Sequence, residues 1–179
     1  MEFAGLVNDI QASAIGEWMR SSLKAMPVVE ATHVLAATMV FGTVLIVDLR
    51  LLGIPNATRA FTRISDELLR LTWWAFGLAV VTGSLMFAAN ANTYVINTAF
   101  RLKMLALLAA GINMAIFQGA TLRGVGGWDV GVAPPRAARL AGLLSILLWV
   151  TVIMLARWIG FTKGYNFVVP DDPNIKFDF

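Results

Sequence analysis

One imidazole, His33, serves the whole chain. It stands three residues after Glu30, so on a helix the two side chains share a face, one turn apart. A carboxylate in that place can accept an imidazole N–H, fix the tautomer and raise the basicity of the other ring nitrogen. That nitrogen could ligate a haem iron, bind copper beside a methionine, or hydrogen-bond a quinone. The competing reading is an ion-pair network of Glu30 with Arg101 or Arg157 that fixes helix register, with His33 a hydrogen-bonded interior residue. Depth counting brings Glu30, His33, Arg101, Lys103 and Arg157 to one level, with Met104 and Trp158 beside them. Ionisable groups at membrane depth are costly and tend to mark function. The chain has no cysteine, which excludes disulfides, thiolate metal sites and cysteine nucleophiles. No Ser/His/acid set, HExxH, P-loop or dinucleotide fingerprint appears, so the reading leans away from an enzyme.

The elements that position these residues are long apolar helices. The chain of 179 residues is 58% hydrophobic and only 14% charged, against about 25% charged in soluble domains. Four stretches are long enough to cross ~30 Å of hydrocarbon, at about 28–52, 69–89, 100–120 and 138–161. Each must be helical, because an isolated strand cannot satisfy its backbone in lipid. The expected architecture is all-α, an integral membrane four-helix bundle over 27–163. It is preceded by an amphipathic interfacial segment over 1–26 and followed by an extended tail over 164–179. In the first segment Phe3, Val7, Ile10, Ala14 and Trp18 recur at helical spacing, as one or two helices on a membrane surface. Pro27 opens the first span. A short amphipathic stretch, 60–68, links spans one and two, and the Gly-rich 121–135 is a loop ending in Pro134-Pro135. There is no signal-peptide pattern.

Lys and Arg counts on the two sides balance, but the connection 90–99 carries no charge, as a translocated loop should. Both termini are therefore expected outside. The net charge of +3 sits beside apolar runs and does not form the basic stripe of a nucleic-acid binder. At the inner end of span one, Asp48 is expected to pair with Arg70, Arg123 or Arg139. Asn113, in mid-span three, is expected to bond between helices. The eight Met are scattered and are read as core filler rather than as a copper path. Small residues recur at fourfold spacing as Gly111, Ala115 and Gly119 in span three, Ala75, Ala79 and Gly83 in span two, and Ala138 and Gly142 in span four. Such ridges let membrane helices approach closely, within one bundle or between copies.

The runs HVLAATMVFGTVLIVDLRLLG, WWAFGLAVVTGSLMFAANA and NTAFRLKMLALLAAGINMAIF together resemble an uncharacterised family of small four-helix bacterial membrane proteins. That family is loosely similar to CopD-type copper-resistance proteins and to b-type cytochrome bundles, which carry histidines on transmembrane helices. The resemblance spans about Glu30 to Gln118 and implies a multi-pass protein of the bacterial inner membrane; the charge pattern then puts both termini in the periplasm. A second axial histidine at position 118 would not complete a haem site with His33. The two positions differ in depth by roughly 20 Å at 1.5 Å per residue, while axial ligands lie about 4 Å apart when each is ~2 Å from the metal.

Three functions are thus expected to compete. The first is an accessory or assembly subunit without chemistry of its own, in a homo-oligomer or larger membrane complex. The second is a haem-b or quinone-associated electron-transfer protein in which His33 is the iron ligand of a five-coordinate, His/Met or two-protomer site. The third is a small ion or metal transporter, whose polar path would consist only of Thr38, Asn113, Ser145 and Thr151.

Overall fold

Seven α-helices, a π-helical segment and a 3₁₀ segment, joined by turns, make up the described residues of the computed structural model, which are 2–54 and 60–162. They are α1 (Glu2–Ala12), α2 (Ala14–Ser21), α3 (Ala25–Leu51), α4 (Phe61–Ala89), α5 (Ala91–Ile96), α6 (Thr98–Ile116) and α7 (Arg136–Thr162). α3, α4, α6 with its continuation, and α7 are each long and apolar enough to cross a membrane. The expected tail, 164–179, and positions 55–59 before α4 lie outside the described residues.

Local chemistry sets the boundaries. Ser13, in extended conformation, accepts from the Gly16 N–H at 3.2 Å and so starts α2 afresh after α1. α3 ends in a Schellman closure: Gly53, at φ +86°, donates to the Arg50 carbonyl and Ile54 donates to that of Leu49. Asn90 breaks the chain between α4 and α5. Asn97 caps α6 by accepting from Phe100 at 3.0 Å, while its amide donates to Thr162 at the end of α7.

Two boundaries differ from expectation. The stretch 60–68 is no separate linker but the first turns of α4, which runs unbroken from Phe61. The third span does not stay regular. After Ile116 it widens into a π turn over Phe117–Thr121 and tightens into 3₁₀ turns over Leu122–Gly127, so the loop proper begins only at Trp128.

α3 pairs with α4 and α6 with α7, and the two hairpins meet chiefly where α3 packs on α7. Gly142 makes that crossing possible, since a Cβ there would lie 3.1 Å from the Asp48 carbonyl. α4 and α6 share no packed interface. At the near end, α1, α2 and α5 close over the helix ends, with Met19, Ala25 and Ala89 in one buried cluster and Tyr94, Ala99 and Ile159 in another. At the far end Phe61, fully buried, packs on Trp128 with ring centroids 5.2 Å apart, joined by Leu51 and Ala138.

Candidate functional site

His33 lies two turns into α3 and faces α4. Its Nδ1 is 3.0 Å from the Thr82 hydroxyl, which itself bonds the Leu78 carbonyl at 2.7 Å. If the Thr82 proton goes to Leu78, the oxygen can accept from a protonated Nδ1, leaving Nε2 as the basic nitrogen. The ring packs against Gly83, where a Cβ would sit 3.1 Å from Cε1. Part of the small-residue ridge of α4 is therefore the seat of the imidazole.

Only part of the group expected around His33 assembles there. Glu30 and Arg157 are exposed, and the Arg157 guanidinium lies 4.7 Å above the Phe161 ring. Arg101 is exposed and reaches back to the Thr98 hydroxyl at 3.4 Å. Met104 also faces outward. The groups within electrostatic reach of His33 are Lys103 and Glu30. The expected convergence of five ionisable groups is thus reduced to three. The reason is rotation about the helix axis: residues at one depth need not share one face. Neither cavity described in the structure is lined by His33, and no cluster of three metal-ligating side chains occurs among the described residues.

A more enclosed site lies on the opposite half of the bundle, around Asp48. This carboxylate is 6% exposed. It accepts from Ser145 on α7, and its Oδ2 is buried with no partner. The expected ion pair is absent: among the described residues no cation bonds Asp48, and Arg70, Arg123 and Arg139 are exposed. Asn113 does bond between helices, donating to the Ala141 carbonyl at 3.0 Å. Thr72 of α4 donates to Thr43 of α3 at 2.7 Å. Asp48, Ser145, Asn113 and Thr72 line a cavity of about 240 Å³ in the gap that α4 and α6 leave between them, with the π turn that follows α6 at one side. Gln118 sits in that turn and lines this cavity, far from His33. Of the expected polar path, Thr38 and Thr151 are exposed and bond their own helix carbonyls.

Just beyond the cavity, Asp129 closes the far end of α4. Its Oδ1 accepts from the Thr62 N–H at 2.9 Å and its Oδ2 from the Thr62 hydroxyl at 3.0 Å. Its carbonyl accepts from Phe61 N–H and from Arg50. The Thr62 N–H, with the Thr62 hydroxyl, the Phe61 N–H and Arg50 behind it, holds the Asp129 carboxyl below its ordinary range against a smaller opposing effect of burial. Sequence reasoning passed over Asp129, a lone acid in a glycine-rich loop. The signal that α4 lacks a capping side chain at Ala60 was available but not its answer.

Comparison with curated proteins and with solved structures returns no match. A family model does match, over residues 15–162, from α2 to the end of α7 and so through both the His33 and the Asp48 surroundings. The chain belongs to that family, described as a family of unknown function (DUF6644).

Proposed function

We propose that the chain is a multi-pass inner-membrane protein that acts as a non-catalytic subunit of a membrane assembly. Insertion is supported by what the helices turn outward: Trp74 is 81% exposed and Met154 68%, whereas the buried mid-span positions are small, such as Ala36, Thr43, Ala75, Ala106 and Ala110. Large apolar side chains in such numbers suit lipid or partner helices, not water. On this reading α1 and α2 lie on the outer surface. The far end, with exposed Arg63, Arg70, Arg123, Arg136 and Arg139, faces the cytoplasm.

The observation that carries the assembly reading is the fate of the three small-residue ridges. Ala75 and Gly83 of α4 and Ala138 and Gly142 of α7 are used inside the protomer. Gly111 and Ala115 of α6 and Gly119 in the π turn after it are all exposed, with nothing near either glycine's Cβ position. A ridge of this spacing on an outer face suits a second helix. Native mass measurement of the purified protein in mild detergent tests this. A homo-oligomer or a defined complex, dispersed by Gly119→Leu, is the expected result; a monomer that Gly119→Leu leaves unchanged would overturn it.

The electron-transfer reading has one observation in its favour, the Thr82 hydrogen bond that orients His33 and leaves Nε2 for a ligand or quinone. An absorption spectrum decides it for haem: a Soret band lost in His33→Ala supports it, and no Soret band rejects it.

A further inference from the structure

We infer that the cavity between α4 and α6 is a binding site for a lipophilic amine, a molecule with an apolar body and a protonated nitrogen. The inference does not rest on the assembly reading, although Gly111 of the exposed ridge is also among the residues that line this cavity.

The walls are apolar where a hydrocarbon body would lie: Val44, Phe76, Leu107, Phe117 and Trp149. The polar groups are unevenly spent. Nearby donors are committed to the protein, Asn113 to the Ala141 carbonyl and the Thr72 hydroxyl to Thr43 or the Leu68 carbonyl. The chief acceptor is not: Asp48 is nine-tenths buried and its Oδ2 has no partner. A buried polar atom left unmatched is costly and calls for a specific explanation. No Lys, Arg or His is among the lining residues, and a second carboxylate, Asp66, stands exposed at the rim. The charge complement is a cation. The enclosure is apolar enough to reject a hydrated metal ion, and no three metal-ligating side chains gather among the described residues. A nitrogen cation on a hydrocarbon body meets both demands, donating to Oδ2 while its tail replaces lipid against Trp149 and Phe76.

The gap also offers a way in. α4 and α6 are not packed together, so the cavity opens sideways between them, and α6 leaves regular geometry beside it at Phe117 and Gln118. π turns inside helices recur at functional sites.

The test uses the full chain in detergent and three chain-matched probes below their micellar concentrations: octylamine, octanol and octanoate. Thermal unfolding is followed as each is titrated. The expected result is that octylamine stabilises with a half-saturating concentration about tenfold or more below that of octanol, as a charge-assisted hydrogen bond implies. Octanoate should not stabilise. The advantage of octylamine should vanish in Asp48→Asn. Leu107→Trp, which fills the cavity and leaves Asp48 in place, should abolish it too and decides the matter if Asp48→Asn does not fold. Equal responses to amine and alcohol would overturn the inference. So would preference for octanoate, or an amine effect that survives Leu107→Trp.

Discussion

Thr62 gives both its backbone N–H and its hydroxyl to one carboxylate, that of Asp129. Asp129 thereby does for α4 what an N-cap residue ordinarily does from the adjoining position. Asp129→Ala is expected to cost about 1 kcal/mol of stability, read as a shift in the detergent or thermal unfolding midpoint, with Asp129→Asn losing less because it keeps an acceptor. The same site fixes a pH dependence. A carboxyl held below its ordinary range in the folded state stabilises the fold above that range, and the contribution is lost as pH falls through the lowered value. Acid unfolding of the wild type should therefore be steeper below the ordinary carboxylate range than that of Asp129→Ala; identical acid profiles would reject the role. His33 gives a second check. Gly83→Ala places a methyl 3.1 Å from Cε1 and must displace the ring, so the imidazole Nδ1 shift seen by nitrogen NMR should move, and Thr82→Val should move it likewise. At this scale the sequence was informative about which side chains are unusual and silent about which meet. His33 and Asp48 stood out by type alone. Their partners Thr82 and Ser145 did not, because α3 is apolar on every side and its pattern does not say which face turns to which neighbour.

α4 is the element most firmly placed, and it is held at both ends from elsewhere in the chain. Asp129 brings a negative charge to its first turn, and Arg20 of α2 donates to the Ala89 carbonyl at 2.9 Å at its last. Both signs suit the helix dipole. Arg20 also bonds the Gln11 carbonyl at 2.7 Å and Glu17 at 2.8 Å, so one guanidinium ties α1, α2 and α4 together. Gly16 lets this happen: a Cβ there would lie 2.6 Å from the Gln11 carbonyl oxygen and 2.8 Å from that of Ala88. Both are backbone atoms and cannot step aside. Gly16→Ala is thus expected to lift α2 off α4, and trypsin should cut at Lys24 several-fold faster in the variant than in the wild type. Arg20→Lys, which keeps a charge but not the forked geometry, should show a smaller increase. The four long helices were readable from hydropathy, while the spacing before them left one helix or two open. The start of α4 was not, since Arg63, Asp66, Glu67 and Arg70 look like a polar linker until Asp129 is known to cap the turn before them. The unwinding of α6 after Ile116 left no mark that a run of apolar and small residues could show.

In the whole molecule two hairpins share a narrow seam between α3 and α7, and the far end is closed by one aromatic cluster. Trp128 reaches from the loop onto Phe61, beside Leu51 and Ala138. Because that cluster joins α3, α4, the loop and α7, Trp128→Ala is expected to lower stability by about 3 kcal/mol and to broaden the unfolding transition as the hairpins separate. A sharp, undisplaced transition would show that the seam alone holds them. The two fastenings of α4 also impose an order of manufacture. Arg20 is already made when Ala89 leaves the ribosome 69 residues later. Asp129 is not made until 67 residues after Thr62. At about 5–20 residues per second, the stretch from Ala89 to Asp129 takes roughly 2–8 s. Through that interval the newborn α3–α4 pair has, besides the Arg20 fastening, only its own bonds, Thr72 to Thr43 and Thr82 with His33, to keep the helices in register. The lone histidine is thus in place as a clasp on the nascent chain long before any ligand could reach it.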